Sequence, residues 1–153
     1  MASRGQKMIE GVIVTPQKII STDGGDVFRG LKSSDLGFLG FGEAYFSTIR
    51  PGAIKAWKRH RKVTLNILVP IGVIKFVLYD DRTNSISRNE LQEETLSREN
   101  YCRLTVPPMI WVGFKGVSGE NSMLMNIINI AHDAKEADNA EIDSIQFDWD
   151  TPR

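Results

Sequence analysis

The sequence predicts an all-β protein, a sandwich or barrel built from many short strands. Three observations carry that reading. β-Branched and aliphatic residues gather in short runs, the size of strands and too short for helices. Gly and Pro punctuate the runs, as at Pro51-Gly52, Pro70-Ile71-Gly72, Pro107-Pro108 and Gly116-Val117-Ser118-Gly119. Only residues 131–144 (AHDAKEADNAEIDS) read as helical or irregular, and they carry no clear apolar stripe.

The elements follow in order. Residues 1–8 are polar and expected to be loose. Ile9 to Thr15 alternates and is β-branched, so it reads as a strand that Pro16 interrupts and Lys18 to Ser21 resumes. Paired glycines make Thr22 to Gly25 a tight turn, and Asp26 to Lys32 a further short strand. Residues 33–42 form a Gly/Ser-rich loop whose Leu36, Phe38, Leu39 and Phe41 are expected to pack back onto the domain. Strands are then expected near 43–49, 53–58, 62–69, 73–79, 91–96, 101–106 and 110–115, with turns at 80–84 and 97–100. Ser122 to Ile130 is apolar at both parities, as in a strand buried on both faces. Ile145 to Trp149 closes the chain.

At 153 residues the chain is sized for a single domain, 1–153, with a real core. Lys and Arg total 19, as do Asp and Glu, so no global field calls for nucleic acid or a cationic partner. One dense basic cluster stands out at Lys55 to Lys62. Cys102 is the only cysteine, which excludes an intrachain disulfide and a cysteine zinc cluster. The N-terminus lacks an apolar signal core, and no run nears the roughly 20 apolar residues of a membrane helix. The expectation is a cytoplasmic protein.

Function is sought in the stretch from Gly42 to Arg82. Lys58, His60, Lys62, Thr64 and Asn66 fall on even positions there, and Val63, Leu65, Ile67 and Val69 on odd ones. If the run stays extended, one strand face is polar and the other aliphatic.

The segments GFGEAYFSTIRPGAIKAW, VLYDDR, LSRENYCRLTVPP, GFKG and the closing FDW, in this order, resemble the cupin family of dTDP-4-dehydrorhamnose 3,5-epimerases, especially its shorter nucleotide-sugar relatives. The resemblance spans roughly residues 8–149. It implies a jelly-roll β-barrel, a homodimer exchanging N-terminal strands, and a metal-free site inside the barrel for a nucleotide-linked 4-keto sugar. In such a site a His held by a carboxylate removes the proton beside the ketone. A Tyr on the opposite face returns one, and a Lys stabilises the enolate. Mapped onto this chain, Lys55 fills the family's first basic position and Lys58 stands where its catalytic His is expected. His60 takes the next alternate position. The family's arginine appears as Gly24 or Gly25, its second His falls near Val112, and its tyrosine acid near Met125.

Lys58 and His60 are therefore the leading catalytic candidates. A partly desolvated Lys can act as a base, and His titrates in the useful range. The same residues would also suit a solvated basic edge strand that discourages aggregation. A metal site is not expected, since Lys58-Arg59-His60 breaks the His-x-His pair and an ammonium has no lone pair. Thr64 and Asn66 are candidate sugar contacts, or ordinary cross-strand partners. Lys75 and Tyr79 alternate on the next strand as a candidate electrophile and acid, although Tyr79 equally suits a packed barrel position. Lys55 is a candidate diphosphate contact. Tyr45 and Trp111 could stack on a base or sugar, or simply fill the core. His132, followed by Asp133, is a further candidate base, whereas Cys102 reads as packing. No glycine-rich phosphate loop leads into a helix, which excludes kinase and Rossmann chemistry.

The sequence thus leads to an epimerase or isomerase acting by proton transfer next to a ketone in deoxysugar or polysaccharide biosynthesis, with no cofactor. Two alternatives stand beside it: a sugar-nucleotide-binding cupin without turnover, and ketoisomerisation of the same substrate class.

Overall fold

A computed structural model describes residues 8–151; the expectation for the first residues lies, apart from Met8, outside them. Among the described residues, twelve strands form two facing five-stranded antiparallel sheets and one hairpin. The first sheet has the order β1 (Ile13–Pro16), β9 (Cys102–Val106), β6 (Leu65–Ile71), β11 (Ser122–Ile128), β4 (Glu43–Ile49). The second runs β12 (Ala137–Asn139), β5 (Ile54–His60), β10 (Ile110–Gly116), β7 (Val73–Asp80), β8 (Leu91–Ser97). β2 (Ile19–Thr22) and β3 (Gly25–Phe28) make the hairpin, with Thr22 to Gly25 as its turn. This is the expected jelly roll. The expected irregular segment resolves into two single 3-10 turns flanking β12.

Burial explains the layering. Ile49, Leu65, Ile67, Val69, Ile74, Phe76, Leu78, Leu104 and Leu124 interdigitate between the two sheets. A second cluster of Trp57, Val77 and Trp149 lies behind the second sheet, where Ile145 and Phe147 of the C-terminal segment cover it. The second sheet therefore has apolar groups on both faces. β11 is buried on one face only, against the expectation of two: Ser122, Leu124, Asn126 and Ile128 are buried, while Met123, Met125 and Ile127 are half-buried on its outer side.

Several boundaries differ from expectation for identifiable reasons. Residues 9–12 turn rather than extend, because the Ile9 amide donates to Gln92 Oε1 at 2.8 Å and the Val12 amide back to the Ile9 carbonyl. The 33–42 loop is not held by its apolar side chains; Leu36, Leu39 and Phe41 are exposed. Polar anchors hold it instead. Arg103, fully buried, donates to the carbonyls of Gly30 and Leu36 and to Asp35 Oδ2. Gly37 has a positive φ of 95°, and a Cβ there would sit 2.9 Å from Thr105 Oγ1, so the loop lies flush against β9 only with glycine.

The turn after β7 is organised by Asp80, a buried carboxylate. Burial pushes its pKa up, but hydrogen bonds from Arg82, Ser85 and Ser87 prevail and hold it well below the usual carboxylate range.

Arg103→Ala removes the donors that close the 33–42 loop and leaves its carbonyls unpaired. A loss of about 2–3 kcal/mol is expected in urea unfolding, together with faster proteolysis within the loop.

Candidate active site

The site begins with a break in a strand. β5 ends at His60 in the second sheet and β6 begins at Leu65 in the first, so the chain crosses between sheets over residues 61–64. The four amides of that crossing are tied down individually. Arg61 donates to the Glu136 carbonyl at 3.0 Å. Lys62 and Val63 both donate to Glu136 Oε2, at 2.8 and 3.1 Å. Thr64 donates to Asn129 Oδ1 at 2.8 Å.

The crossing resets the parity. Lys58 and His60 face the space between the sheets, but beyond the turn the odd residues Leu65 and Ile67 face it. Asn66 lies on the outer side of β6, where its Oδ1 accepts from Thr105 and its Nδ2 donates to the Gly37 carbonyl. Thr64 belongs to the turn, and Lys62 is exposed there. The expected five-residue polar stripe is thus only two residues long.

Those two residues open onto a cavity of about 480 Å³ between the sheets. Leu65, Ile67, Phe76, Val112, Phe114 and Leu124 form its apolar wall. Its polar groups are Lys55, Lys58, His60 and Asn139 from one sheet, and Tyr45, Ser47 and Asn126 from the other. Lys55 and Lys58 share a face although three positions apart, because the β5–β10 register shifts between Val112 and Phe114. Gly113 makes room for this irregularity: a Cβ there would lie 2.8 Å from Ala56 Cβ and 3.0 Å from the Trp57 ring. Lys55 Nζ donates to the Thr48 carbonyl at 2.9 Å and lies 5.8 Å from the Phe114 ring centroid.

His60 is oriented by Glu136. Its Nδ1 lies 2.6 Å from Glu136 Oε1, and both side chains are largely buried. In the neutral imidazole, a carboxylate accepting at Nδ1 places the ring proton there and leaves Nε2 with the lone pair. Burial raises the Glu136 pKa, but the Lys62 amide, the His60 ring and the Val63 amide outweigh it and leave the carboxyl below its ordinary value. Glu136 itself is held by β12, which pairs along β5 with Asp138 opposite Arg59. Arg59 Nη2 donates to Asp138 Oδ2 at 2.8 Å, its Nη1 to Asp81, and its guanidinium stacks 4.6 Å over Trp111.

Tyr45 stands on the other sheet. Its Oη accepts from Asn126 Nδ2 at 2.9 Å. Burial, chiefly, raises its pKa, with Glu43 adding to the effect against the Asn126 hydrogen bond, so the phenol stays protonated at neutral pH. A smaller recess of about 290 Å³ joins Glu43, Tyr45, Lys58, His60, His132 and Glu136.

The structure therefore brings Lys55, Lys58, His60 and Tyr45 onto the cavity wall, and His132 into the recess at its edge. Asp133 does not orient His132; it caps Lys135, while the His132 amide donates to Glu43 Oε1. Lys75, Tyr79 and Trp111 require correction together with Thr64 and Asn66. All three lie on the outer face of the second sheet, because the inner face takes Phe76, Leu78 and Val112. Lys75 sits 5.5 Å from the Phe147 ring centroid, the Tyr79 hydroxyl donates to Asn89 Oδ1, and Trp111 Nε1 donates to Asp81. Met125, to which the resemblance assigned the tyrosine, also points outward. Sequence reasoning missed Glu136 and Asn126. The available signal for Glu136 was the acidic run 133–143, the charge complement of the basic run 55–62. Among the described residues, no three His, Cys, Asp or Glu side chains converge as metal ligands.

No family model matches the chain. Over 150 residues it is 30% identical to the spore coat polysaccharide biosynthesis protein SpsL of Bacillus subtilis, covering 94% of this chain and 98% of that one. Its structure superimposes on a dTDP sugar isomerase of Desulfovibrio desulfuricans with a TM-score of 0.89 and 37% identity, covering 92% of each chain. The chain belongs to the dTDP-4-dehydrorhamnose 3,5-epimerase-related cupins. Another relative of this cupin is the probable low-salt glycan biosynthesis epimerase Agl13 of Haloferax volcanii, 32% identical over 100 residues. That match covers 65% of this chain and 64% of Agl13, so this chain spans a little under two thirds of that relative's length. The epimerase of Elizabethkingia anophelis, 15% identical with a TM-score of 0.80, shares the fold of this cupin.

Because the Glu136 pKa is lowered in the folded state, its interactions stabilise the fold above the ordinary Glu value, and that contribution is lost as pH falls through the folded value. Glu136→Gln is therefore expected to be less stable than the parent at pH 7. The gap should narrow below about pH 4, measured by chemical unfolding across pH.

Proposed function

We propose that this cupin is an epimerase of nucleotide-linked 4-keto sugars that moves a proton at the carbon next to the ketone. One observation carries the reading: the Glu136-oriented His60 opens onto an apolar-walled cavity that Tyr45 enters from the opposite sheet. Family membership supports it. So do the descriptions of the relatives, a dTDP sugar isomerase among the solved structures and polysaccharide and glycan biosynthesis proteins among the others.

His60 Nε2 takes the proton, and the C–H electron pair becomes the enolate. Glu136 stabilises the resulting imidazolium. Lys58, an exposed cation on the same strand, offsets the charge growing on the enolate oxygen. The neutral Tyr45 phenol returns a proton to carbon from the facing sheet. The tyrosinate and imidazolium then reset by proton exchange with solvent. A base and an acid on two facing sheets can address opposite faces of one sugar ring, which favours epimerisation over ketoisomerisation. Lys55 would meet the diphosphate, and His132 would assist proton return to His60 through the shared recess. The reaction needs no cofactor.

The same reading includes a cytoplasmic homodimer. β4 is a sheet edge, and Phe46 on it is 62% exposed beside the half-buried Met125, an apolar strip suited to a second copy.

Incubation with dTDP-4-keto-6-deoxyglucose in deuterium oxide tests the reaction. Deuterium should enter the sugar next to the ketone, and His60→Asn should slow entry by about 10³-fold. Tyr45→Phe should retain exchange at the first proton while losing inverted product. Nucleotide-sugar binding without any exchange would instead establish the non-catalytic alternative.

A further inference from the structure

Asn126 has a role that the proton transfer does not use. It lies on the cavity wall, is only 4% exposed, and has apolar neighbours on that wall in Leu65, Ile67 and Leu124. Its Nδ2 is committed to Tyr45 Oη. Its Oδ1 is buried and has no hydrogen-bond partner among the described residues. A buried acceptor left unpaired is costly, and this one belongs to a side chain on the cavity wall. An amide oxygen can only accept, so whatever satisfies it must bring an O–H or N–H.

That requirement selects one part of the substrate class proposed above, on which this step rests. In a 4-keto-6-deoxy sugar the ketone and ring oxygens only accept, and the methyl group does neither. The hydroxyls are its donors. Tyr45, bonded to Asn126, is the group assigned to the reacting carbon. We infer that Asn126 Oδ1 accepts from the hydroxyl on the carbon beside the ketone, making Asn126 the specificity residue for an α-hydroxy ketone. Because Tyr45 receives its hydrogen bond from Asn126 Nδ2, its own proton stays free to point towards that same carbon. The pair presents an acceptor and a donor side by side, the complement of a hydroxyl-bearing carbon next to an enolate. Sites built to bond a hydroxyl reject analogues lacking it by about 10⁴–10⁵-fold, whereas apolar pockets discriminate far less.

The test uses the full chain and two ligands, a dTDP-linked 4-keto sugar and its analogue with hydrogen replacing the hydroxyl beside the ketone. Deuterium exchange at that carbon gives kcat/KM for each. The parent should favour the hydroxylated ligand by about 10³-fold or more, and Asn126→Leu should reduce the preference to about tenfold by losing rate on that ligand alone. Affinity for dTDP should be unchanged in the variant. Equal turnover of both ligands by the parent overturns the inference. So does an equal loss on both in the variant, or a fall in dTDP affinity, which would assign Oδ1 to the nucleotide. If the parent exchanges neither ligand, it is the epimerase reading that fails. Calorimetric binding of the same pair then decides: a preference that Asn126→Leu abolishes sustains hydroxyl recognition, and equal binding refutes it. Should Asn126→Leu not fold, Asn126→Ala removes the same oxygen without supplying a new acceptor and takes its place in both assays.

Discussion

The Glu136 carboxylate is the joint on which both the fold and the site depend. One oxygen receives the amides of Lys62 and Val63, and the other meets His60 Nδ1. The first two bonds let the chain leave one sheet and enter the other with its amides paired as the crossing passes from exposed Lys62 to buried Val63. The third fixes the tautomer of the imidazole that faces the cavity. Hydrogen bonds to an ionised acceptor are about twice as strong as neutral ones, and three donors converge here on a single carboxylate. A substitution at Glu136 would therefore disturb turn and base together, so activity loss alone could not identify a catalytic role. The folding measurement across pH separates the two effects.

The strap carrying Glu136 is itself held by charge. Arg59 alternates with Lys58 and His60 on β5 and faces the other way, gripping Asp138 and Asp81 while lying over Trp111. β5 thus sends its catalytic candidates inward and its fastening residues outward. The dense basic run reads as one feature in sequence and divides into two in space. Its inward cations line the cavity, and of its outward ones Arg59 pairs with Asp138 and Asp81 and Arg61 with Asp138.

That division shows what the sequence could and could not disclose. The strand pattern, the turns and the order of the motifs were legible, because alternation and Gly/Pro punctuation are local properties. Lys58 and His60 were legible as a pair for the same reason. Thr64 and Asn66 were misplaced because parity survives only while a strand continues, and the bonds that end β5 come from Glu136 and Asn129, more than sixty residues away. Lys75, Tyr79 and Trp111 were misplaced for a different reason. The second sheet is covered on both sides, so alternation separates its two faces without revealing which borders the cavity. The 33–42 loop was misread because its anchor, Arg103, lies on a distant strand and acts through backbone carbonyls.

The distribution of polarity in the cavity bears on how proton transfer at carbon could be fast there. The cations and the imidazole come from β5, the neutral donor and acceptor come from β4 and β11, and apolar side chains lie between. In the proposed reaction such walls would weaken dielectric screening on the cavity side of Lys58, while its exposed side remains screened by water. The same apolar surroundings keep the Tyr45 phenol neutral and therefore able to donate. A carboxylate exposed directly to the cavity would oppose enolate formation. Glu136 directs its oxygens to His60 and the turn amides, so in the proposed reaction its charge would act through the imidazole. The division of polarity between the two sheets is thus a physical condition for the proposed chemistry: a charge that assists deprotonation and neutral groups that complete it must share a cavity without neutralising each other.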